Sequence, residues 1–158
     1  MVATIWVVDD EEPVREVLGA MLQQLGYETR LFPDADALLK AYRPGLTDVV
    51  LTDYRMPGMD GMALTRALRD KDARVVILML TGFPSVQDAV EAVRLGASDY
   101  LTKPFRMEEI RMRIARALEV RDLHLGLRRS RALAWLLIGS LPFWFGLGLA
   151  LRSLLGSP

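Results

Sequence analysis

The fold of this chain is decided by the stretch Val49-Val50-Leu51-Thr52-Asp53-Tyr54-Arg55-Met56-Pro57-Gly58-Met59-Asp60-Gly61. A short apolar run ends at an aspartate, and a proline-glycine turn follows at once. This pattern predicts a buried strand that carries one carboxylate to the edge of a sheet. Asp53 is therefore the first candidate for chemistry. The alternative is an aspartate that only caps the turn or the next helix.

Strand patterns and helix patterns alternate on both sides of this stretch. The other strands are predicted over 4–8, 27–32, 74–80 and 97–101, and helices with apolar residues at spacings of three and four follow each strand. Val86, Val90 and Val93 line the fourth helix, and the fifth begins at about Arg106. Five strands alternating with five helices over about 120 residues predict an α/β fold with a parallel sheet between helical layers.

The composition narrows the classes of function. Basic and acidic residues number 20 each, so no overall positive charge favours nucleic acid, although residues 1–121 are mildly acidic and the remainder is basic. The absence of cysteine excludes a disulfide, a thiolate nucleophile and a zinc-thiolate site. The start of the chain does not resemble a cleavable signal, and we expect the first domain to fold in the cytoplasm.

Polar residues follow four of the predicted strands where each one ends. They are Asp9, Asp10, Asp53, Thr81 and Lys103. Carboxyl ends of parallel strands meet at one edge of the sheet, and three carboxylates there repel one another unless a cation neutralises them. An all-oxygen site of this kind suits magnesium. A carboxylate can also attack phosphorus to give an acyl phosphate, whose oxygens magnesium, an ammonium and a hydroxyl could stabilise.

The motifs together resemble one known family. They are Asp9-Asp10 after the first strand, Asp53 followed by Met56-Pro57-Gly58-Met59-Asp60-Gly61, Thr81-Gly82 after the fourth strand and Lys103-Pro104-Phe105 after the fifth. Over about Thr4 to Arg121 the chain resembles the receiver domain of two-component response regulators. The resemblance implies a flavodoxin-like, doubly wound five-stranded sheet, and a domain that accepts a phosphoryl group from a histidine kinase and is not otherwise an enzyme.

The resemblance also implies roles for individual residues. Asp53 is the phosphoacceptor, and Mg²⁺ is bound by Asp10, Asp53 and the main-chain carbonyl of Arg55, with Asp9 acting through water. Lys103 pairs with the phosphoryl group, and its bond to Pro104 is cis. Thr81 moves toward the phosphoryl group and Tyr100 rotates inward behind it, and these two residues form the switch. Simpler interpretations are that Thr81 only caps and that Tyr100 is an ordinary strand aromatic.

Segments 80–83 and 95–105 look most like receivers that precede the ATPase domain of enhancer-binding transcription activators. No glycine-rich phosphate loop ending in Gly-Lys-Ser or Gly-Lys-Thr occurs in the sequence, and no helix-turn-helix pattern follows. We therefore expect neither ATP hydrolysis nor direct DNA binding by this chain.

The sequence after the fifth helix divides into a basic connector over 122–131, an apolar segment over 132–152 and a short end over 153–158. The connector contains His124, interpreted as a surface residue. Residues 132–151 lack charge over 20 positions, enough for a helix of about 30 Å, and the preceding arginines favour a cytoplasmic start. This predicts a membrane helix or a re-entrant hairpin. The alternatives are an apolar segment that covers a receiver face or a dimer interface, and a truncated continuation of a longer regulator.

The leading functional prediction is a receiver that Asp53 phosphorylation switches between two conformations, held at the inner face of the cell membrane by residues 132–151. Its predicted partners are a sensor histidine kinase or a phosphotransfer protein, and a homodimer is left open. The alternatives are a soluble single-domain phosphorelay protein, a truncated transcriptional activator, a phosphohydrolase with Asp53 as nucleophile, and a structural membrane adaptor. A phosphohydrolase normally needs a substrate cap, for which the compact fold leaves no sequence.

Overall fold

The computed structural model describes residues 2–82 and 85–123. Strands and helices alternate strictly along this part of the chain. Their bounds are β1 Thr4–Val8, α1 Glu12–Gln24, β2 Glu28–Phe32, α2 Ala35–Ala41, β3 Val49–Asp53, α3 Gly61–Lys71, β4 Val76–Thr81, α4 Val86–Arg94 and β5 Asp99–Thr102. A fifth helix, α5, follows over 107–123 within the described residues.

The five strands form one sheet in the order β2-β1-β3-β4-β5, and every neighbouring pair is parallel. This confirms the predicted doubly wound, flavodoxin-like sheet. The strand order reverses between β1 and β3, and in such sheets ligands bind outside the carboxyl ends of the strands at this point. Asp9, after β1, and Asp53, at the end of β3, therefore flank the position where the topology favours a site.

The central strands are buried on both faces, which explains their unbroken apolar sequences. Alternate side chains of each strand point to opposite faces of the sheet. Ile5 and Val7 pack in a cluster with residues of α1 and α5, while Trp6 and Val8 pack in a second cluster with residues of α2 and α3. Helices thus cover both faces, as the near-continuous apolar strands predict.

Side-chain caps start three of the helices. Asp34 accepts a hydrogen bond from the Ala37 N–H at the start of α2, and Asp60 accepts one from the Ala63 N–H at the start of α3. Ser85 does the same for α4. Such caps satisfy main-chain donors that the first turn leaves without partners. The cap at Asp60 ends the turn after Asp53 and so fixes the loop beside the candidate site.

Helix α4 presents its apolar stripe to solvent. Val86, Val90 and Val93 are 83%, 47% and 59% exposed, and Ala92 is the buried residue of this helix. The spacing of the valines predicts the helix, but an amphipathic helix ordinarily turns such a stripe toward the core. Here α4 packs through alanine, so the larger side chains remain on the opposite face.

No helix within residues 2–82 and 85–123 is long and apolar enough to cross a membrane. A transmembrane helix is therefore not supported by the described part of the chain. The predicted apolar segment at 132–152, the short end at 153–158, His124 and most of the connector lie outside the described residues. The division of the chain into these segments stays a prediction.

Candidate functional site

Lys103 joins two buried carboxylates at the carboxyl edge of the sheet. Its Nζ lies 2.8 Å from Asp9 Oδ2, 2.5 Å from Asp53 Oδ1 and 3.9 Å from Glu11 Oε1. Lys103 follows β5, and β4 lies between β5 and β3, so its side chain passes the end of β4 to reach Asp53. The main-chain N–H of Lys103 donates to the Thr81 carbonyl at 2.6 Å. The structure thus brings together three of the residues that the strand-end pattern predicts as one group, Asp9, Asp53 and Lys103.

Asp53 is the last residue of β3, and only 8% of the residue is exposed. Its Oδ2 accepts a hydrogen bond from the Arg55 N–H at 2.9 Å, and its Oδ1 faces Lys103. Burial raises the pKa of Asp53, although the hydrogen bond and charge of Lys103 offset part of this effect. The remaining exposed edge of the carboxylate is where an incoming group could reach it.

The ammonium of Lys103 is stabilised in its charged form. Burial acts to lower the pKa of Lys103, but the hydrogen bonds and charges of Asp53 and Asp9 outweigh burial, and the pKa is raised overall. The site therefore contains one fixed positive charge between two carboxylates. The remaining net negative charge favours the binding of a further cation.

Asp9 is fully buried, and three other groups fix it besides Lys103. Its Oδ1 accepts from the Glu11 N–H at 2.9 Å, and its carbonyl accepts from Arg15 Nη1 at 2.7 Å. Its own N–H donates to the Phe32 carbonyl at 3.4 Å. Arg15 was not among the predicted site residues. A positive charge one helical turn beyond four consecutive acids is the sequence signal that could have identified it.

Asp10 follows in the same turn but is exposed to solvent. Among residues 2–82 and 85–123 no group of three or more His, Cys, Asp or Glu side chains has the arrangement of a metal site. Magnesium nevertheless needs only one or two protein carboxylates, because it keeps several waters. The oxygen donors of Asp10 and Asp53 and the main-chain carbonyl of Arg55 fit that chemistry.

The two predicted switch residues lie on neighbouring strands. Thr81 ends β4 and is 2% exposed. Tyr100 in β5 packs against a small cluster of buried residues, Met62, Met79, Ala92 and Ala97. Its hydroxyl is buried and has no hydrogen-bond partner within the described part of the chain. The peptide bond between Lys103 and Pro104 is cis.

Tyr54 is a second residue near the site that the sequence did not reveal. It directly follows Asp53, packs against the same cluster as Tyr100 and donates its hydroxyl to Asp88 Oδ1 at 3.0 Å. Burial raises the pKa of Tyr54, and the hydrogen bond to Asp88 and its negative charge add to this effect. Its partner lies 34 positions away in α4, so no local pattern could have indicated the contact.

The sequence of the chain is similar to those of known proteins. A family model described as the response regulator receiver domain matches residues 5–115. The chain is 37% identical over 133 residues to the regulatory protein AtoC of Escherichia coli K12, covering 80% of this chain and 29% of AtoC. It is 40% identical over 115 residues to the transcriptional regulatory protein FixJ of Bradyrhizobium diazoefficiens, covering 72% of this chain and 56% of FixJ. The chain thus spans less than two thirds of the length of these relatives.

Solved structures with the same architecture are similar over most of the chain. A receiver domain protein from Clostridium thermocellum is similar with a TM-score of 0.74 and 27% identity, covering 77% of this chain and 98% of that protein. NtrX from Brucella abortus is similar with a TM-score of 0.78 and 33% identity, covering 83% of this chain and 30% of NtrX.

Proposed function

Because this chain belongs to the response regulator receiver domain family of two-component systems, we propose that Asp53 accepts a phosphoryl group and that the domain then signals by changing conformation. The observation that carries the proposal is the placement of Asp53 at the strand-order reversal, hydrogen-bonded to Lys103 and to the Arg55 N–H. A carboxylate so placed is fixed in position, partly exposed and adjacent to a cation that can offset added negative charge.

The transfer that we propose is a displacement at phosphorus. An oxygen of Asp53 forms the new P–O bond while the P–N bond to a donor histidine breaks. The electron pair of that bond returns to the nitrogen, and the imidazole leaves as a neutral ring that keeps the proton on its other nitrogen. Asp10, Asp53 and the Arg55 carbonyl would bind magnesium, with Asp9 acting through water. The magnesium would supply positive charge to the phosphoryl oxygens. The protein contributes mainly position and charge.

Lys103 has a defined part in this proposal. Its ammonium already lies 2.5 Å from Asp53 Oδ1, so it is within reach of a group attached to that carboxylate. When the phosphoryl group is present, Lys103 keeps one contact with Asp9 and gains one with a phosphoryl oxygen. Removal of its charge therefore weakens the stabilisation of the phosphoryl oxygens, although it also removes a cation that repels bound magnesium.

We further propose that output involves Thr81, Tyr100 and the surface of α4 and α5. The hydroxyl of Tyr100 is buried without a partner in the described residues, and the valines of α4 are exposed. A polar group that is poorly satisfied and an apolar surface that is uncovered are features expected of an element with more than one arrangement. Phosphorylation would shift the equilibrium between those arrangements.

The proposed partners are a sensor histidine kinase or a phosphotransfer protein upstream, with a second copy of the chain as a further partner. DNA contact is not proposed for this domain. Attachment to the inner face of the membrane through 132–151 is a separate proposal, supported only by the apolar sequence. Alkaline carbonate extraction of membranes tests it: the full chain should stay with the bilayer, and a chain ending at Arg121 should not.

The phosphoryl proposal is tested with acetyl phosphate and Mg²⁺. The wild-type chain should gain one phosphoryl group per molecule, in a form that hydroxylamine cleaves, and Asp53→Asn should gain none. Asp60→Asn is the matched control, because it alters an exposed helix cap nearby. Sustained hydrolysis of a generic phosphate ester, lost with Asp53, would instead favour the phosphohydrolase alternative.

A further inference from the structure

Tyr54 connects the end of β3 with the first turn of α4. Its main chain is held on both sides, because its N–H donates to the Leu80 carbonyl at 2.7 Å and its carbonyl accepts from the Gly61 N–H at 3.1 Å. From this fixed point its hydroxyl reaches Asp88 Oδ1 at 3.0 Å. Asp88 is the third residue of α4. The rigid aromatic side chain of Tyr54 therefore links the residue next to Asp53 with α4.

Few other contacts hold α4 against the sheet. Ala92 is its buried residue, and the larger apolar side chains, Val86, Val90 and Val93, are exposed. An element with few buried apolar contacts opens locally at a low cost in free energy. A hydrogen bond to a charged carboxylate is stronger than one between neutral groups. The bond from Tyr54 is therefore a specific contact that can position α4.

The space beneath α4 contains a second tyrosine in a different situation. Tyr54 and Tyr100 pack against the same cluster, which includes Met79 and Ala92. The hydroxyl of Tyr54 is satisfied by Asp88, whereas that of Tyr100 is buried without a partner in residues 2–82 and 85–123. A buried hydroxyl without a partner is unfavourable. The present position of α4 therefore satisfies the hydroxyl of Tyr54 and leaves that of Tyr100 without a partner among the described residues.

We propose that the Tyr54–Asp88 hydrogen bond positions α4 and transmits the state of Asp53 to the exposed valines of that helix. Tyr54 is a positioning residue, because it acts through Asp88 and not on the phosphoryl group. A group added to Asp53 changes the surroundings of the next residue, Tyr54, and the hydroxyl of Tyr54 passes this change to Asp88 in the first turn of α4. The positioning step stands on the contacts alone, while the transmission step rests on the proposed function.

Hydrogen exchange of the α4 amides tests the positioning step in the unphosphorylated full chain. Tyr54→Phe keeps the ring and removes the hydroxyl, and it should speed exchange over 86–94 about tenfold. Asp88→Ala should have the same effect, while Asp88→Asn keeps an oxygen acceptor and should restore part of the protection. Tyr27→Phe is the matched control, since Tyr27 packs against the cluster under α1 and α5. Wild-type exchange of α4 in both Tyr54→Phe and Asp88→Ala would overturn the proposal.

Mg²⁺ with beryllofluoride, a mimic of the phosphoryl group, tests the transmission step. Its binding is followed by fluorine NMR and its effect by the same α4 amides. In the wild type the mimic should change α4 exchange, and in Tyr54→Phe this change should fall to roughly half or less while binding persists. An undiminished change in Tyr54→Phe would overturn transmission. If the wild type does not bind the mimic, the proposed phosphorylation of Asp53 and the transmission step both fail. Hydrogen exchange of the α4 amides without the mimic then still tests whether the Tyr54–Asp88 bond positions α4.

Discussion

Replacing Lys103 by methionine removes the positive charge between two carboxylates and leaves a side chain of similar length. Asp9 is fully buried and the Asp53 side chain is 11% exposed, so both would face each other without a cation. Removing one partner of a buried ion pair costs about 3–5 kcal/mol. Each carboxylate keeps one main-chain donor, from Glu11 or Arg55, and the Lys103 side chain is itself 17% exposed. We therefore expect a loss of about 2–3 kcal/mol in the free energy of unfolding.

The loss should depend on pH in a defined direction. The raised pKa of Lys103 stabilises the wild-type fold below the pKa of an unfolded lysine, and this contribution disappears as the pH rises through the folded-state value. The raised pKa of Asp53 gives the same direction in a lower pH range, because ionisation of this carboxyl costs stability as the pH rises above the pKa of an unfolded aspartate. Protonation at acidic pH removes the repulsion in the variant. The difference between variant and wild type should therefore shrink as the pH falls from 7 toward about 4.

Urea unfolding at several pH values measures these differences. Lys40→Met is the matched control, because Lys40 is exposed on α2, and its effect should stay within about 0.5 kcal/mol. A loss below about 0.5 kcal/mol for Lys103→Met at pH 7, or a loss that grows on acidification, would refute the description of Lys103 as the cation that holds this site together.

Three further predictions concern neighbouring parts of the fold. Asp53→Asn should raise the midpoint of thermal unfolding at neutral pH, because it removes a carboxylate whose ionisation the fold disfavours; a lower midpoint would contradict this. Gly61→Ala should cost about 2 kcal/mol or more in urea unfolding, because its Cβ would clash with the Asp53 carbonyl oxygen. At Gly82 an added Cβ meets no atom of the described residues within 4 Å, and Gly82→Ala should be nearly neutral. Val86→Ser combined with Val93→Ser should change the free energy of unfolding by less than about 1 kcal/mol, because both side chains are exposed. The double variant should nevertheless weaken self-association or partner binding, measured by sedimentation. Unchanged sedimentation under conditions where the wild type associates would argue against an output surface on α4.

The sheet and the edge that carries the site could be predicted because both follow from local patterns and one topological rule. Apolar runs indicate buried strands, alternation with helices makes the sheet parallel, and parallel strands place their carboxyl ends at one edge. Lys103 lies 94 positions from Asp9, yet both follow strands of the same sheet. Their contact therefore needed no knowledge of side-chain packing.

Contacts between side chains of different elements could not be predicted from these sequence patterns. The period of α4 predicts a helix but does not say which face the sheet takes, and here Ala92 faces inward while the valines do not. The bond from Tyr54 to Asp88 joins residues 34 positions apart in different elements, so it depends on where α4 lies. Asp9 and Asp10 are adjacent and chemically identical, and only the geometry of the turn buries the first and exposes the second.

Trapping of the acyl phosphate tests the central claim most directly. After reaction of the full chain with acetyl phosphate and Mg²⁺, borohydride reduces an aspartyl phosphate to homoserine, and mass spectrometry of the peptides locates the change. We predict homoserine at position 53, dependent on the phosphodonor. Unmodified Asp53 in a protein that has taken up phosphate, or homoserine at another aspartate, would contradict the account.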